Sequence, residues 1–202
     1  MFAVRLARAA HKKNKIVIFN GAFHGTFDGV NATKDYTSQN MRCIPTSLGT
    51  PKSFVNDIIM LDYGNKDALK VIEQYADEIA AVLVEPVQSR RPQLQPVEFL
   101  KELRTITEQN NMALIFDEVI TGFRLCKGGA QEYYHVKADI VTYGKIVGGG
   151  MPIGVGSGKA KYLDKIDGGV WNYEDDSVPD PNLIITGGTF SCHPISIFNG
   201  FG

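Results

Sequence analysis

The chain alternates between short, almost wholly apolar runs and longer segments in which apolar residues return every three or four positions. The apolar runs cover residues 15–19, 79–84 and 112–116. Their length and composition predict buried strands. Residues 67–76 and a segment that begins at Pro96 have helical spacing. Strands that alternate with helices in this way are typical of a mostly parallel sheet covered on both faces. We therefore expect an α/β fold of three layers.

The start of the chain is basic and has no acidic residue through Lys13. A transit peptide and an ordinary helix are both open for such a segment. Phe2, Leu6 and Ala9 or Ala10 form a stripe at helical spacing that leads directly into the first strand, which favours the helix. After that strand, residues 20–55 are polar and lack periodicity, which predicts a long loop.

Charge and cysteine content exclude several classes of function. The 21 basic and 22 acidic residues nearly cancel, so binding to nucleic acid or to an anionic membrane is not indicated. No apolar run approaches the roughly 20 residues that cross a bilayer. Cys43, Cys126 and Cys192 fit neither a disulfide framework nor metal-ligand spacing, so we expect no metal and a cytoplasmic location.

Three charged residues follow predicted strands: Glu85, Asp117 and, after a further short strand at residues 139–142, Lys145. Ligands of open α/β sheets bind outside the carboxyl ends of the strands, so these groups could meet in one crevice and transfer protons. The lysine could equally be a solvated surface residue, and the carboxylates helix caps or loop ions. Asp117 and Glu118 lie between the apolar Phe116 and residues 119–120, and we expect a cationic group to face Asp117.

The glycine runs at residues 148–150 and 154–158 suggest phosphate cradles. Neither run fits a nucleotide-binding fingerprint, so a nucleotide-binding oxidoreductase is a weaker alternative. Glycine here favours tight turns and close backbone approach to a bulky ligand. Phe23 and His24 are ambiguous, since such pairs are more often structural than catalytic.

Five motifs in the same order resemble the class III, fold-type I aminotransferases, which depend on pyridoxal 5′-phosphate (PLP) and include glutamate-1-semialdehyde aminomutase. The matching runs are residues 23–25 (Phe-His-Gly), 84–87 (Val-Glu-Pro-Val), 114–124, 143–154 and 187–194. The resemblance covers almost the whole chain. It implies transfer of an amino group to a keto or aldehyde substrate through a Schiff base at Lys145.

The same resemblance implies a role for each matching residue. Lys145 looks like the amine that binds the cofactor aldehyde and moves a proton, and Asp117 looks like the partner of the pyridinium nitrogen. Phe23 would stack on one face of the ring and Val119 would pack on the other. Thr189 resembles a residue that binds the phosphate of the neighbouring subunit's cofactor, which implies a homodimer with shared sites. The implied supporting residues are Glu85 and His24.

Departures from the family pattern shape the expectation for the whole chain. The phosphate loop that precedes the first helix and the C-terminal small domain are not found in residues 1–202, so we expect a partial PLP-binding large domain, incomplete at both ends. Inactivity of such a fragment is a second hypothesis.

Two substitutions bear on the branch of the family. Arg90 stands where ω-aminotransferases have a glutamate, and Ile120 where some have a glutamine. Both substitutions favour the aminomutase-like branch or the aminotransferase domains of hybrid polyketide and peptide synthases. In the latter the substrate would be a β-ketoacyl chain on a carrier protein. Arg90 and Arg91 would then face a carboxylate or a phosphate, although solvated surface positions are the favoured interpretation.

Overall fold

The computed structural model describes residues 1–37, 42–188 and 191. The helices in this part of the chain are α1 (Phe2–His11), α2 (Lys66–Gln74), α3 (Val97–Gln109), α4 (Gly129–Tyr134) and α5 (Ala160–Asp167). The strands are β1 (Lys15–Phe19), β2 (Ala32–Lys34), β3 (Cys43–Pro45), β4 (Ile58–Leu61), β5 (Ile79–Val84), β6 (Ala113–Asp117), β7 (Ile140–Gly144) and β8 (Gly154–Gly158). Across these described residues, no helix is long and apolar enough to cross a membrane.

Six strands form one sheet in the order β4-β1-β5-β6-β7-β8. The first five are parallel, and β8 runs antiparallel to β7. Parallel neighbours end at the same edge, so the loops after β1, β5, β6 and β7 emerge together. The register pairs Asp117 with Thr142, which places the ends of β6 and β7 side by side. The mostly parallel sheet predicted from the apolar runs is confirmed.

The five parallel strands bury residues on both faces, because successive side chains point in opposite directions. In β1, Val17 and Phe19 pack in the cluster that α2, α3 and α4 cover. Ile16 and Ile18 pack in the cluster that α1 and α5 cover. The result is helices, sheet and helices in three layers, as predicted.

The buried face of α1 differs from the predicted stripe. Phe2 is 40% exposed, whereas Leu6 is buried as expected. The buried residues of this helix are Ala3, Val4, Leu6 and Ala7. The small side chains of Ala3 and Ala7 let α1 lie close to the sheet, and Phe2 lies partly in solvent.

The predicted loop at residues 20–55 contains more structure than expected. Strands β2 and β3 form a two-stranded antiparallel sheet, and short 3-10 helices cover Asp28–Val30 and Lys52–Val55. Both strands have three residues, too few for alternation to show. The second glycine run was also misinterpreted, because residues 154–158 form β8 rather than a turn. Its glycines hide the period of two that identifies a strand.

Asp139 ties the sheet to the helices at the edge where the parallel strands begin. Its side chain is 5% exposed, and it contacts Arg104 Nη1 at 2.8 Å and Lys159 Nζ at 2.7 Å. The backbone N–H of Leu114 also donates to Oδ2 of Asp139, at 2.8 Å. Burial alone would raise the pKa of this carboxyl, but the bonds from Leu114, Lys159 and Arg104 hold the pKa below its ordinary value.

Candidate active site

The three strand-end residues lie at one edge of the sheet, as predicted. Glu85 directly follows β5, Asp117 is the last residue of β6, and Lys145 directly follows β7. Phe23 and His24 lie in the loop after β1, at the same edge. The strand order places these loops next to one another, which is where open α/β sheets bind ligands.

Asp117 is fixed by two hydrogen bonds. Its Oδ1 accepts from the backbone N–H of Val119 at 3.2 Å, and its Oδ2 lies 2.8 Å from Nδ1 of His24. The side chain of Asp117 is 12% exposed and that of His24 is 4% exposed. The expected cationic partner is therefore an imidazole, which carries a charge only when it is protonated. Among the described residues, Asp117 forms no ion pair with lysine or arginine.

Glu85 turns inward and holds two loops. Its Oε2 accepts from the N–H of Phe23 at 2.9 Å, and its Oε1 accepts from the N–H of Ser89 at 3.3 Å. Glu85 is 3% exposed, whereas the ring of Phe23 keeps an exposure of 48%. The carboxylate thus fixes the backbone that presents the phenyl ring.

Replacement of Glu85 with glutamine is expected to lower the free energy of unfolding by about 1–3 kcal/mol. A glutamine amide has one acceptor oxygen, so one of the two backbone N–H groups would face an NH₂ donor. Urea unfolding measures the change. Glu73→Gln, at an exposed position of α2, is the control and should change stability by less than about 0.5 kcal/mol. Equal urea midpoints for Glu85→Gln and Glu73→Gln would contradict the anchoring role of Glu85.

Arg91 is half-buried and belongs to an internal cluster that the sequence analysis missed. Its Nε donates to Oε1 of Gln88 at 2.9 Å, and its Nη2 donates to the carbonyl of Asn20. Gln88 is fully buried and also donates to that carbonyl, at 3.1 Å. Arg91 is therefore neither a solvated residue nor free to bind an anion. Arg90 lies with its guanidinium carbon 5.6 Å from the centre of the Phe23 ring.

Lys145 begins a short 3-10 helix, Lys145–Gly148, with a φ of 50°. This left-handed conformation is strained for a residue with a Cβ, and such strain is often found at functional sites. The side chain is exposed, and within the part of the chain that the structure describes its amine has no hydrogen-bond or ion-pair partner. A Cβ at Gly144 would contact the side chain of Val119, so Val119 lies beside the residue that precedes Lys145.

The neighbouring carboxylates Asp117 and Glu118 have different environments. Glu118 is 1% exposed and accepts hydrogen bonds from Ala130 N–H at 2.6 Å and Thr121 Oγ1 at 3.1 Å. Burial raises the pKa of this carboxyl despite those bonds. Gly129, with a φ of 66°, lies so close that a Cβ there would collide with the Glu118 carboxylate. Glu118 thus holds α4, and only Asp117 faces the sheet edge.

Thr189 lies outside the described residues, so its predicted contact with a phosphate stays a prediction. Across residues 1–37, 42–188 and 191 no group of three or more histidine, cysteine or acidic side chains could hold a metal ion.

A phenyl ring, a carboxylate and an amine at one sheet edge are the groups that the resemblance implied. Residues 1–198 match the family model described as "Aminotransferase class-III". The chain belongs to the class III aminotransferases. This membership disfavours the nucleotide-binding oxidoreductase that the α/β pattern alone had left open.

The relatives of this chain are named either as an aminomutase or as transaminases. Glutamate-1-semialdehyde 2,1-aminomutase of Methanococcus maripaludis is 43% identical over 203 residues, covering 99% of this chain and 44% of the relative. An ω-transaminase structure from Sphaerobacter thermophilus has a TM-score of 0.83 at 31% identity, covering 99% of this chain and 45% of that one. A structure named a transaminase with PLP bound has a TM-score of 0.84 at 30% identity, covering 100% of this chain and 45% of the other. The chain therefore spans less than half the length of these relatives.

Proposed function

We propose that this chain is the PLP-binding large domain of an enzyme that transfers amino groups. The observation that carries the proposal is the Asp117 carboxylate, fixed by hydrogen bonds but not paired with lysine or arginine in the described residues, at the same sheet edge as the free amine of Lys145. The membership in the class III family supports it.

The residues at this edge fit PLP by their chemistry. A planar ring that is cationic at one end and carries an aldehyde needs an anion, an apolar face and an amine. Asp117 supplies the anion, Phe23 an exposed phenyl ring, and Lys145 an amine that has no partner among the described residues. PLP, when bound, draws electrons away from the substrate carbon that loses a proton.

Each of these residues then has a distinct task. Asp117 would favour the protonated ring nitrogen of bound PLP, because two opposite charges about 4 Å apart attract by around 4 kcal/mol at an effective dielectric constant near 20, before desolvation. Lys145 would attach the cofactor and would carry a proton to and from the substrate. Phe23 and Val119 would hold the two faces of the ring. Glu85 and His24 fix the groups that make these contacts.

The relatives described above favour a small amino donor and a keto or aldehyde acceptor, as in an aminomutase or transaminase. None of those relatives has a synthase name, and Arg91 is used internally, so the carrier-bound acyl substrate has no support. A homodimer with shared active sites and a cytoplasmic location are part of the proposal as expectations of the family.

Titration of the 202-residue chain with PLP, followed by absorbance, tests the proposal. We expect saturable binding that Asp117→Asn weakens by roughly 10-fold to 100-fold, since hydrogen bonds to charged groups contribute about 1.5–3 kcal/mol. Asp77→Asn, at an exposed position, is the matched control and should bind as the unchanged chain does. A folded chain that binds no PLP would contradict the proposal and favour the inactive fragment.

A further inference from the structure

Arg90 is an exposed cation at the candidate active site to which the proposed function gives no task. It lies in the loop after β5, at the sheet edge that also carries Asp117 and Lys145. Its guanidinium carbon is 5.6 Å from the centre of the Phe23 ring. Within residues 1–37, 42–188 and 191, Arg90 forms no ion pair with a carboxylate. Its positive charge is therefore available to a ligand.

The backbone on both sides of Arg90 is held by hydrogen bonds. Before it, the N–H of Ser89 donates to Oε1 of Glu85 at 3.3 Å. After it, the guanidinium of Arg91 donates to the carbonyl of Asn20. These contacts tie the loop after β5 to the loop after β1. Arg90 therefore projects from a backbone with little freedom, and the place of its side chain beside the crevice is largely set in advance.

The two neighbouring arginines differ in what their guanidinium groups contact. Arg91 donates to acceptors inside the protein, namely Oε1 of Gln88 and a backbone carbonyl. Arg90 lies over the ring of Phe23, and an aromatic face attracts a cation but offers no oxygen or nitrogen acceptor to its five N–H donors. Those donors can exchange water for an anionic group of a ligand. Of the two arginines, Arg90 is thus the one that can recognise a substrate.

A carboxylate fits Arg90 better than a phosphate does. The planar fork of a guanidinium matches the two oxygens of a carboxylate, and one positive charge balances one negative charge. A phosphate dianion would require a second cation, but Arg91 is used internally, and the proposed function assigns Lys145 to the cofactor. Phe23 is also the ring that would stack on the cofactor, so a group bound at Arg90 would lie beside it.

We propose that Arg90 is a specificity-determining residue, which binds a carboxylate of the amino substrate beside the ring of Phe23. This inference rests on the proposed function, which brings the amino group of the same substrate to Lys145. An amino acid then has two fixed points at this sheet edge, its amine at Lys145 and its carboxylate at Arg90. An amine without a carboxylate has only the first. The chain should therefore prefer amino acids to simple amines.

Two probes that differ in a single carboxylate test this preference. N-(5′-phosphopyridoxyl)-L-alanine and N-(5′-phosphopyridoxyl)ethylamine are stable compounds in which the cofactor is joined to an amino acid or to a simple amine. Isothermal titration calorimetry of the 202-residue chain gives both dissociation constants. We expect the alanine compound to bind at least about tenfold more tightly, because only this compound forms a hydrogen-bonded pair of charges. Equal affinities would overturn the inference.

Variants of Arg90 identify the residue that causes the preference. Arg90→Gln should reduce it to less than about twofold by weakening the binding of the alanine compound alone. Arg90→Lys, which keeps the charge without the planar fork, should have an intermediate preference. Arg42→Gln removes another exposed arginine and should keep the whole preference. An undiminished preference in Arg90→Gln would show that another residue binds the carboxylate.

Titration with PLP alone separates this inference from the proposed function. PLP has no substrate carboxylate, so Arg90→Gln should bind PLP within about twofold of the unchanged chain. An equal loss of affinity for PLP and for the alanine compound would mean that Arg90 acts through Phe23 rather than on the substrate. If the unchanged chain binds PLP but does not distinguish the two compounds, only the inference fails. If it binds neither PLP nor either compound, the proposed function fails and the inference fails with it.

Discussion

Replacing Lys145 with alanine is expected to remove every borohydride-stable pyridoxyl group from the chain. Lys145 is exposed and lies at the sheet edge that also carries Asp117, and its amine has no partner in the part of the chain that the structure describes. Reduction with borohydride followed by peptide mass spectrometry should find the group on Lys145 at close to one per chain. Lys127→Ala, which removes another exposed lysine, should leave that stoichiometry unchanged. An equal amount of pyridoxyl group elsewhere in Lys145→Ala would contradict the assignment.

The backbone at this position allows a second comparison. Lysine and alanine both have a Cβ, so both pay the same cost of a φ near 50°. Glycine has no such cost, and Lys145→Gly should be more stable than Lys145→Ala by roughly 1 kcal/mol. Thermal unfolding of the two variants measures this difference. The two variants should nevertheless be equally unable to retain the pyridoxyl group.

Asp139→Asn is expected to lower the free energy of unfolding by about 3–5 kcal/mol, the usual cost of breaking a buried ion pair. The substitution leaves the partly buried Arg104 without its anion, and Lys159 loses its partner too. Urea unfolding measures the loss, with the exposed Asp77→Asn as control. A loss below about 1 kcal/mol would mean that Asp139 contributes little more than a surface ion pair.

The contribution of Asp139 should depend on pH in a defined direction. Its pKa in the folded chain lies below the ordinary value of 3.8, so the unfolded chain takes up the proton more readily. The stabilisation is therefore fully present above about pH 4 and is lost as the pH falls through the folded value. Between pH 5 and pH 2, the free energy of unfolding of Asp139→Asn should change less with pH than that of the unchanged chain. An equal change of stability with pH in both chains would mean that other carboxyls cause the loss of stability in acid.

The layers of the fold and the shared sheet edge of Glu85, Asp117 and Lys145 could be predicted because local patterns encode them. Apolar runs identify β5 and β6, and a charged residue at the end of a buried strand must lie at the sheet edge. Asp117 and Lys145 were found in this way. Strands β2, β3 and β8 could not be found, because three residues or a run of glycines carry no period.

The partners of the site residues could not be predicted, because they come from distant parts of the chain. His24 and Asp117 are 93 residues apart, and Glu85 bonds Phe23 across 62 residues. Such pairs form only when the strand order is known. Asp139 shows the same limit, since its sequence context resembles that of Asp117 although it lies at the opposite edge of the sheet. The sequence marks which residues are unusual, but the topology determines what each one contacts.

The left-handed backbone of Lys145 has a consequence for laboratory evolution. A library of variants selected only for resistance to heat would accumulate glycine at position 145, because that substitution removes the strain of a φ of 50°. The proposed attachment residue would then be among the first positions lost. Selection of this chain for stability should therefore always be combined with a screen for retention of the amine.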